Sequence, residues 1–305
     1  MLPIRCCAFL FGIIFFISTG VFATETDEVK PKLKPVDPTL GSWIFSGMVN
    51  NESGDKYGYF FEMKRQGSEF YAKAALIDGQ TNQLIFFYEG NEKIESAASL
   101  DWHVGHSFIR FNPINDSWIF GVKGEDKKGF NFKVDMLKQS NHPNETLVLR
   151  PGVKLQAQQT SQLNGHVQVN NKEEFVTGNK AWFGQLMLSN DQKDSHDIST
   201  TFCHLNDDNG FYSANLKEKD AVSAAVAGWL DPSGNKVKMS QFVSIKSLDH
   251  DQCVLNIGLP KLTLKLLNTL KADNSAHAIA GFSKESKGTF CFVTEQSFLK
   301  EQATV

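Results

Sequence analysis

The sequence predicts an all-β protein made of two β-rich halves. Three observations carry this: short runs of aromatic and β-branched residues, glycine and charged residues between them, and no helix-period segment of convincing length. Phenylalanine alone supplies 25 of the 305 residues, and aromatics make up 11% of the chain, ample material for a sizeable core.

From Gly41 the runs follow one another as a meander. Trp43 to Val49 is the first strand, and Asn50-Asn51-Glu52-Ser53-Gly54-Asp55 has the composition of a turn. Tyr57 to Met63 is the second strand, ended by Arg65-Gln66-Gly67. Phe70 to Ile77 and Leu84 to Glu89 follow, with Asp78-Gly79 as a hairpin signal between them. Ser107 to Phe111, Trp118 to Lys123, Phe130 to Leu137 and Thr146 to Arg150 complete the first half, residues 41–155. Pro151 and the glutamine-rich stretch Gln156 to Gln162 read as a boundary or linker.

The second half, residues 165–300, repeats the texture. Its strands are Asn179 to Leu188, Ile198 to Leu205, and Gly210 to Ser213 leading into Ala221 to Leu230. A turn at Asp231-Pro232-Ser233-Gly234-Asn235 precedes Val237 to Leu248, Gln252 to Ile257, Leu262 to Leu270 and Gly288 to Thr294. The spacing in Leu262 to Leu267 suits a strand and a short helix alike. Many strands joined by short turns suit a sheet closed on itself, which leaves no exposed edge. A pair of β-sandwiches is the alternative.

The N-terminus decides the setting. Arg5, the apolar run Phe9 to Ile17 and the small-residue site Val21-Phe22-Ala23 have the order of a secretory signal peptide over residues 1–23. The apolar run is shorter than the ~20 residues of a membrane-spanning helix. Residues 24–40 are polar, hold three prolines and read as a flexible arm. The expectation is a periplasmic or secreted protein with no transmembrane helix in its mature chain.

With 31 basic and 34 acidic side chains the net charge is -3, and no basic field exists to hold a phosphate backbone. Nucleic acid is therefore excluded as a partner. Beyond the leader the cysteines are Cys203, Cys253 and Cys291, an odd number that allows one internal disulfide. The apolar, strand-like surroundings of Cys253 and Cys291 favour that pair. No C-x-x-C or H-E-x-x-H spacing supports a metal, and no motif asks for a cofactor.

The segments Gly41-Ser42-Trp43-Ile44-Phe45-Ser46-Gly47 and Gly54-Asp55-Lys56-Tyr57-Gly58-Tyr59-Phe60-Phe61 resemble the opening of the AttH/carotenoid-hydratase-like family. Phe70 to Asp78, Phe86-Phe87-Tyr88 and Ala227-Gly228-Trp229-Leu230-Asp231 are similar to later family strands. The resemblance implies two lipocalin-like β-barrel halves in tandem. It also implies, from the carotenoid-modifying members, protonation of an alkene and addition of water. Where the family pattern continues with an acidic residue and tryptophan-glycine, this chain runs into Pro232-Ser233-Gly234.

Alkene hydration needs a carboxyl whose pKa is raised by burial. Asp231, beside Trp229, is the candidate acid; its plainer role is to accept backbone hydrogen bonds in a turn. Trp43, Phe45, Tyr59, Phe61, Trp182, Tyr212 and Trp229 are the candidate lining of an apolar ligand cavity, and core packing is their competing role. Asp101-Trp102-His103-Val104-Gly105-His106 is dense in ionisable groups, but alternation sends Trp102 and His103 to opposite faces. The same argument separates Cys203 from His204. The leading expectation is a binding protein for a lipid, isoprenoid or other hydrophobic small molecule. The alternatives are a cofactor-independent hydratase or isomerase on such a molecule, and a protein-interaction module of the envelope.

Overall fold

The computed structural model describes residues 38–95, 100–124, 127–136, 146–189, 195–205, 209–218, 221–231, 233, 236–239, 241, 243–249, 252–259, 261–268, 270, 278–286 and 288–298. The expected signal peptide and nearly all of the arm lie outside them. Every regular element among the described residues is a strand. Leu262–Leu267 is one of them, with Leu264 and Leu266 buried and Thr263 and Lys265 exposed, the period of two that a strand requires.

The first barrel is a rolled antiparallel sheet. It contains β1 (Leu40–Asn51), β2 (Lys56–Gln66), β3 (Glu69–Asp78), β4 (Leu84–Lys93), β5 (Asp101–Val104), β6 (Ser107–Asn112), β7 (Ser117–Lys123) and β8 (Gly129–Asp135). The next strands are β9 (Thr146–Arg150), β10 (Val153–Gln159), β11 (Gln162–Val169), β12 (Lys172–Gly178) and β13 (Trp182–Leu188). Around the barrel the order is β4-β3-β2-β1-β12-β11-β8-β7-β6-β5. The ends of the roll, β4 and β5, are tied by a side chain: the Tyr88 hydroxyl donates to the Val104 carbonyl at 2.7 Å and accepts from the His106 N–H at 3.2 Å.

The glutamine-rich segment expected as a linker is β10 and the start of β11. Val153, Leu155 and Ala157 alternate into the core, and Gln158 and Gln159 are themselves buried. Their amides hide a strand pattern that composition alone reads as a loop. Strand pairing also crosses the expected 155–165 boundary. β11 and β12 close the first barrel, whereas β13 pairs with β10 and with the Leu40–Ser46 stretch of β1. β1 exchanges one neighbour for the other near Gly47, pairing with β12 only at Asn50 and Asn51.

The second half holds β14 (His196–His204), β15 (Gly210–Glu218), β16 (Ala221–Leu230), β17 (Lys236–Met239), β18 (Ser244–Asp249) and β19 (Gln252–Ile257). It ends with β20 (Leu262–Leu267), β21 (Ala278–Phe282) and β22 (Phe290–Phe298). The sheet β17-β16-β15-β14-β22-β21 meets the sheet β18-β19-β20 through an isolated bridge, Leu266 with Ser283. The two sheets enclose a core containing Phe211, Val243, Leu255, Leu264, Leu266 and Val293. The architecture is all-β and lipocalin-like.

The disulfide differs from the expected pairing. Cys203 on β14 and Cys291 on β22 are direct cross-strand partners, with Cα atoms 4.1 Å apart, and they are bonded to each other. Cys253, on β19, is a buried free thiol in the same core, its pKa pushed up to about 11 by burial. Sequence context could not reveal that β14 lies beside β22.

A third core lies between the barrels. The outward face of β1–β3 gives it Ile44, Phe60, Ala75 and Ile77, and the second half gives it Phe202, Tyr212, Phe282, Phe290, Phe292 and Phe298. The inward face of the same strands supplies Trp43, Phe45, Tyr59, Phe61 and Leu76 to the first barrel. β1 and β2 are therefore buried on both faces. Phe60 stacks on Phe292 with centroids 4.1 Å apart and an interplanar angle of 12°. Gly58 makes room here, since a Cβ in its place would meet the Phe290 ring at 2.5 Å.

Phe60→Ala removes one half of that stack and is expected to lower the unfolding free energy by about 3–5 kcal/mol, read by urea denaturation. The disulfide closes a long loop, with 88 residues of sequence separation. A Cys203→Ser, Cys291→Ser double variant is expected to lose about 2–4 kcal/mol in the same measurement.

Candidate functional site

The layer between the barrels contains a buried carboxyl. Alternation along β2 sends Tyr59, Phe61 and Met63 into the first barrel, and Phe60, Glu62 and Lys64 into or along the layer. Glu62 is only 4% exposed. Its cross-strand neighbours are Ile44 on β1 and Lys73 on β3. From the second half, the Thr294 hydroxyl on β22 donates to Glu62 Oε2 at 2.8 Å.

Burial raises the Glu62 pKa above the usual carboxyl range. Lys73, the Thr294 hydrogen bond and Lys64 pull it down, in that order, and Glu89 pushes it further up. The direction follows from where the competing charges sit. Lys73 pairs with the half-exposed Glu89 at 3.3 Å, which divides its attention. Lys64 donates to the Ser297 carbonyl at 3.2 Å and lies over the Tyr71 ring, 4.5 Å from its centroid. Its own pKa is lowered, mainly by burial.

Around Glu62 the layer holds polar atoms with no hydrogen-bond partner among the described residues: Ser42 Oγ, Ser46 Oγ, Thr200 Oγ1 and both ends of the Gln296 amide. The register brings them to the same patch. Ser42 and Ser46 are the cross-strand neighbours of Lys64 and Phe60, Thr200 is that of Thr294, and Gln296 follows Thr294 on the same face of β22. Buried polar groups are nearly always satisfied, so these point to water or to a polar group of a bound molecule. The arrangement brings together a carboxyl whose pKa is raised by burial, a hydroxyl that hydrogen-bonds to it and polar groups suited to placing water.

The residues expected to line a cavity are divided among three cores. Trp43, Phe45, Tyr59 and Phe61 lie in the first barrel among touching rings: Phe45 stacks on Phe120 at 4.1 Å, Trp43 meets Trp102 at 4.6 Å and Tyr59 meets Phe132 at 4.8 Å. Burial alone raises the Tyr59 pKa well above its ordinary value. Trp182 and Tyr212 lie in the layer between the barrels, in edge contact at 5.5 Å. Trp182 Nε1 donates to the Cys203 carbonyl at 2.8 Å, and burial pushes the Tyr212 pKa up to about 12. Trp229 borders the second barrel's core, beside Phe211, and donates to the Leu259 carbonyl at 3.0 Å. Asp231 is half-buried just beyond β16.

The Asp101 cluster is a surface hairpin, with Asp101 bonded to Arg110 at 2.8 Å and His103 exposed. Trp102 is buried on the opposite face. Cys203 faces the second barrel's core, while the His204 ring faces Trp182 at 6.3 Å. Among the described residues no group of three or more His, Cys, Asp or Glu side chains is arranged to hold a metal. Among the described residues no helix is long and apolar enough to cross a membrane. Glu62 is the residue that sequence reasoning missed, and its signal was a lone carboxylate inside the apolar run Tyr59-Phe60-Phe61-Glu62-Met63.

No protein-family profile and no curated protein sequence matches this chain. Solved structures do share its fold. A protein assigned as AttH from Nitrosomonas europaea superposes with a TM-score of 0.60 at 14% identity, over 85% of this chain and 93% of the other. Kievitone hydratase from Nectria haematococca superposes with a TM-score of 0.61 at 11% identity, over 86% and 90%. The fold expected from the AttH-like sequence segments is thus the fold observed.

A carboxyl with a raised native pKa binds more protons folded than unfolded across that interval. Stability therefore falls as pH rises from the ordinary glutamate value through the native one. Glu62→Gln, which keeps the shape without the charge, is expected to flatten this slope and to be the more stable chain at neutral pH. Urea midpoints between pH 4 and pH 8 check it.

Proposed function

We propose that the chain binds an apolar small molecule, of lipid or isoprenoid character, in the layer between its barrels and performs cofactor-independent hydration or isomerisation on it. The observation that carries this reading is the buried Glu62 carboxyl beside unpartnered hydroxyl and amide groups. In the hydration, the Glu62 O–H gives its proton to one alkene carbon. Water held by the neighbouring hydroxyls and amide adds to the other carbon. The proton that water sheds returns to the Glu62 carboxylate, so atoms and charge balance. Rings of Phe60, Phe202, Tyr212 and Phe292 supply the apolar surroundings that exclude bulk water. Fold likeness to a hydratase agrees with this reading without establishing it.

The second reading is a carrier that binds the same class of molecule and leaves it unchanged. It is favoured by the apolar rings of the same layer, Phe60, Phe202, Tyr212 and Phe292, which suit a hydrophobic molecule without acting on it. Either activity fits an exported protein. The Cys203–Cys291 disulfide supports the oxidising compartment that the first 23 residues lead one to expect.

The test is native mass spectrometry of protein purified from its own host, followed by extraction and incubation of any bound molecule. The expected result is one apolar molecule per chain, converted by the wild type in buffer. Glu62→Gln is expected to bind it and convert it at least about a hundredfold more slowly, the span of a lost general acid. Asp231→Asn reads the other acid candidate in the same assay. Binding without conversion by any variant establishes the carrier; an empty protein that takes up no hydrophobic probe overturns both readings.

A further inference from the structure

The outer face of the first barrel has a cross-strand row that the buried chemistry does not use. Going around the sheet, direct register partners are His103 with Phe108, Phe108 with Gly121, Gly121 with Asn131, Asn131 with His166, and His166 with Phe175. Neighbouring strands are about 4.8 Å apart, so Phe108 and His166 stand about 14 Å apart at the backbone. The Phe108 ring lies close over Gly121, where a Cβ would meet the Phe130 carbonyl oxygen at 2.3 Å and Phe108 Cε1 at 3.2 Å. What remains is a trough of about 320 Å³ over Asn131, with Phe108 on one side and His166, Gln168 and Glu173 on the other.

We propose that this trough binds a neutral saccharide, seated over Asn131 between Phe108 and His166. Three features set the ligand class. The walls are flat rings backed by further rings: His103 stacks behind Phe108 at 6.1 Å and Phe175 packs edge-on to His166 at 5.5 Å. Aromatic faces carry negative charge density and attract the weakly positive C–H groups on the apolar side of a sugar ring. The rim is amide-rich, and Asn131 and Gln168 each present donors and an acceptor to hydroxyls that are both. Lys123 and Glu173 line the trough with opposite charges, which favours neither an anion nor a cation.

The trough is also held in shape before any ligand arrives. The β11–β12 hairpin, which carries His166, Gln168 and Glu173, is pinned on its inner side through Glu174. Asn51 Nδ2 donates to Glu174 at 2.8 Å and the Tyr57 hydroxyl donates to it at 3.0 Å. These bonds, that from Asn51 first, hold the Glu174 pKa below the ordinary carboxyl range. A fixed wall lowers the ordering cost of binding a small polar molecule. The volume lies at the lower end of small-molecule sites, about 300–1,000 Å³.

The experiment titrates the intact protein with methyl pyranosides of glucose, galactose, mannose and N-acetylglucosamine, and with maltose, cellobiose and chitobiose, followed by amide chemical shifts. At least one probe is expected to move the amides of Gly121, Asn131, His166 and Gln168 together. Asn131→Ala and Gln168→Ala, both at accessible positions, are each expected to weaken that probe about fivefold to tenfold with Tm unchanged. Glu62→Gln is expected to bind it as the wild type does, which separates this site from the inter-barrel layer. The proposal is overturned if no probe moves these amides at tens of millimolar, or if neither substitution weakens the one that does.

Discussion

Everything in this fold depends on one wall, the strands β1 and β2, being buried on both faces. Trp43, Phe45, Tyr59 and Phe61 pack inward and Ile44 and Phe60 outward, so each turn of the pleat serves a different core. That requirement explains why these segments read as nearly continuous apolar runs rather than as alternating ones. It also fixes register, because a slip by one residue would exchange the two cores along the whole strand. The branch at Gly47, where β1 gives up β13 for β12, is what lets one strand belong to the closed barrel and to the layer beside it.

A wall of this kind has no solvent face on which to place a charge. Glu62 is nevertheless there, with Thr294 as its hydrogen-bond donor and Lys73 as its cross-strand neighbour. Replacing a buried charged group together with its partners by apolar residues is often neutral or stabilising, so stability alone does not account for Glu62. The unpartnered atoms of Ser42, Ser46, Thr200 and Gln296 make the same demand from the other side. Together they turn the layer from a plain interface into a polar spot enclosed by phenylalanine, an environment that raises the pKa of a buried carboxyl.

The strands with strong local signals were legible: Trp43 to Val49, Tyr57 to Met63 and Phe70 to Ile77 all fall inside observed strands. The glycines of the AttH-like segments were legible as motif but not as mechanism. Gly58 is there because a ring of the distant Phe290 rests on it. β10 was hidden because glutamine does not announce burial, and Gln158 and Gln159 are buried by neighbours far away in sequence. The disulfide and the Glu62–Thr294 contact were hidden for the same reason. Both depend on β22 arriving beside strands up to 232 positions earlier, which no local pattern encodes. The aromatic candidates were recognised as important, and distance in space, invisible in the chain, divided them among separate cores.

The most direct test is the titration of Glu62 itself, followed by the side-chain carboxyl carbon in carbon-detected NMR and assigned by the signal missing from Glu62→Gln. A midpoint above the ordinary glutamate value of about 4.3 is the result expected of a carboxyl raised by burial. A midpoint at or below that value would mean that Lys73 and Lys64 hold the group as a structural ion pair, and the layer between the barrels would lose its claim to acid chemistry.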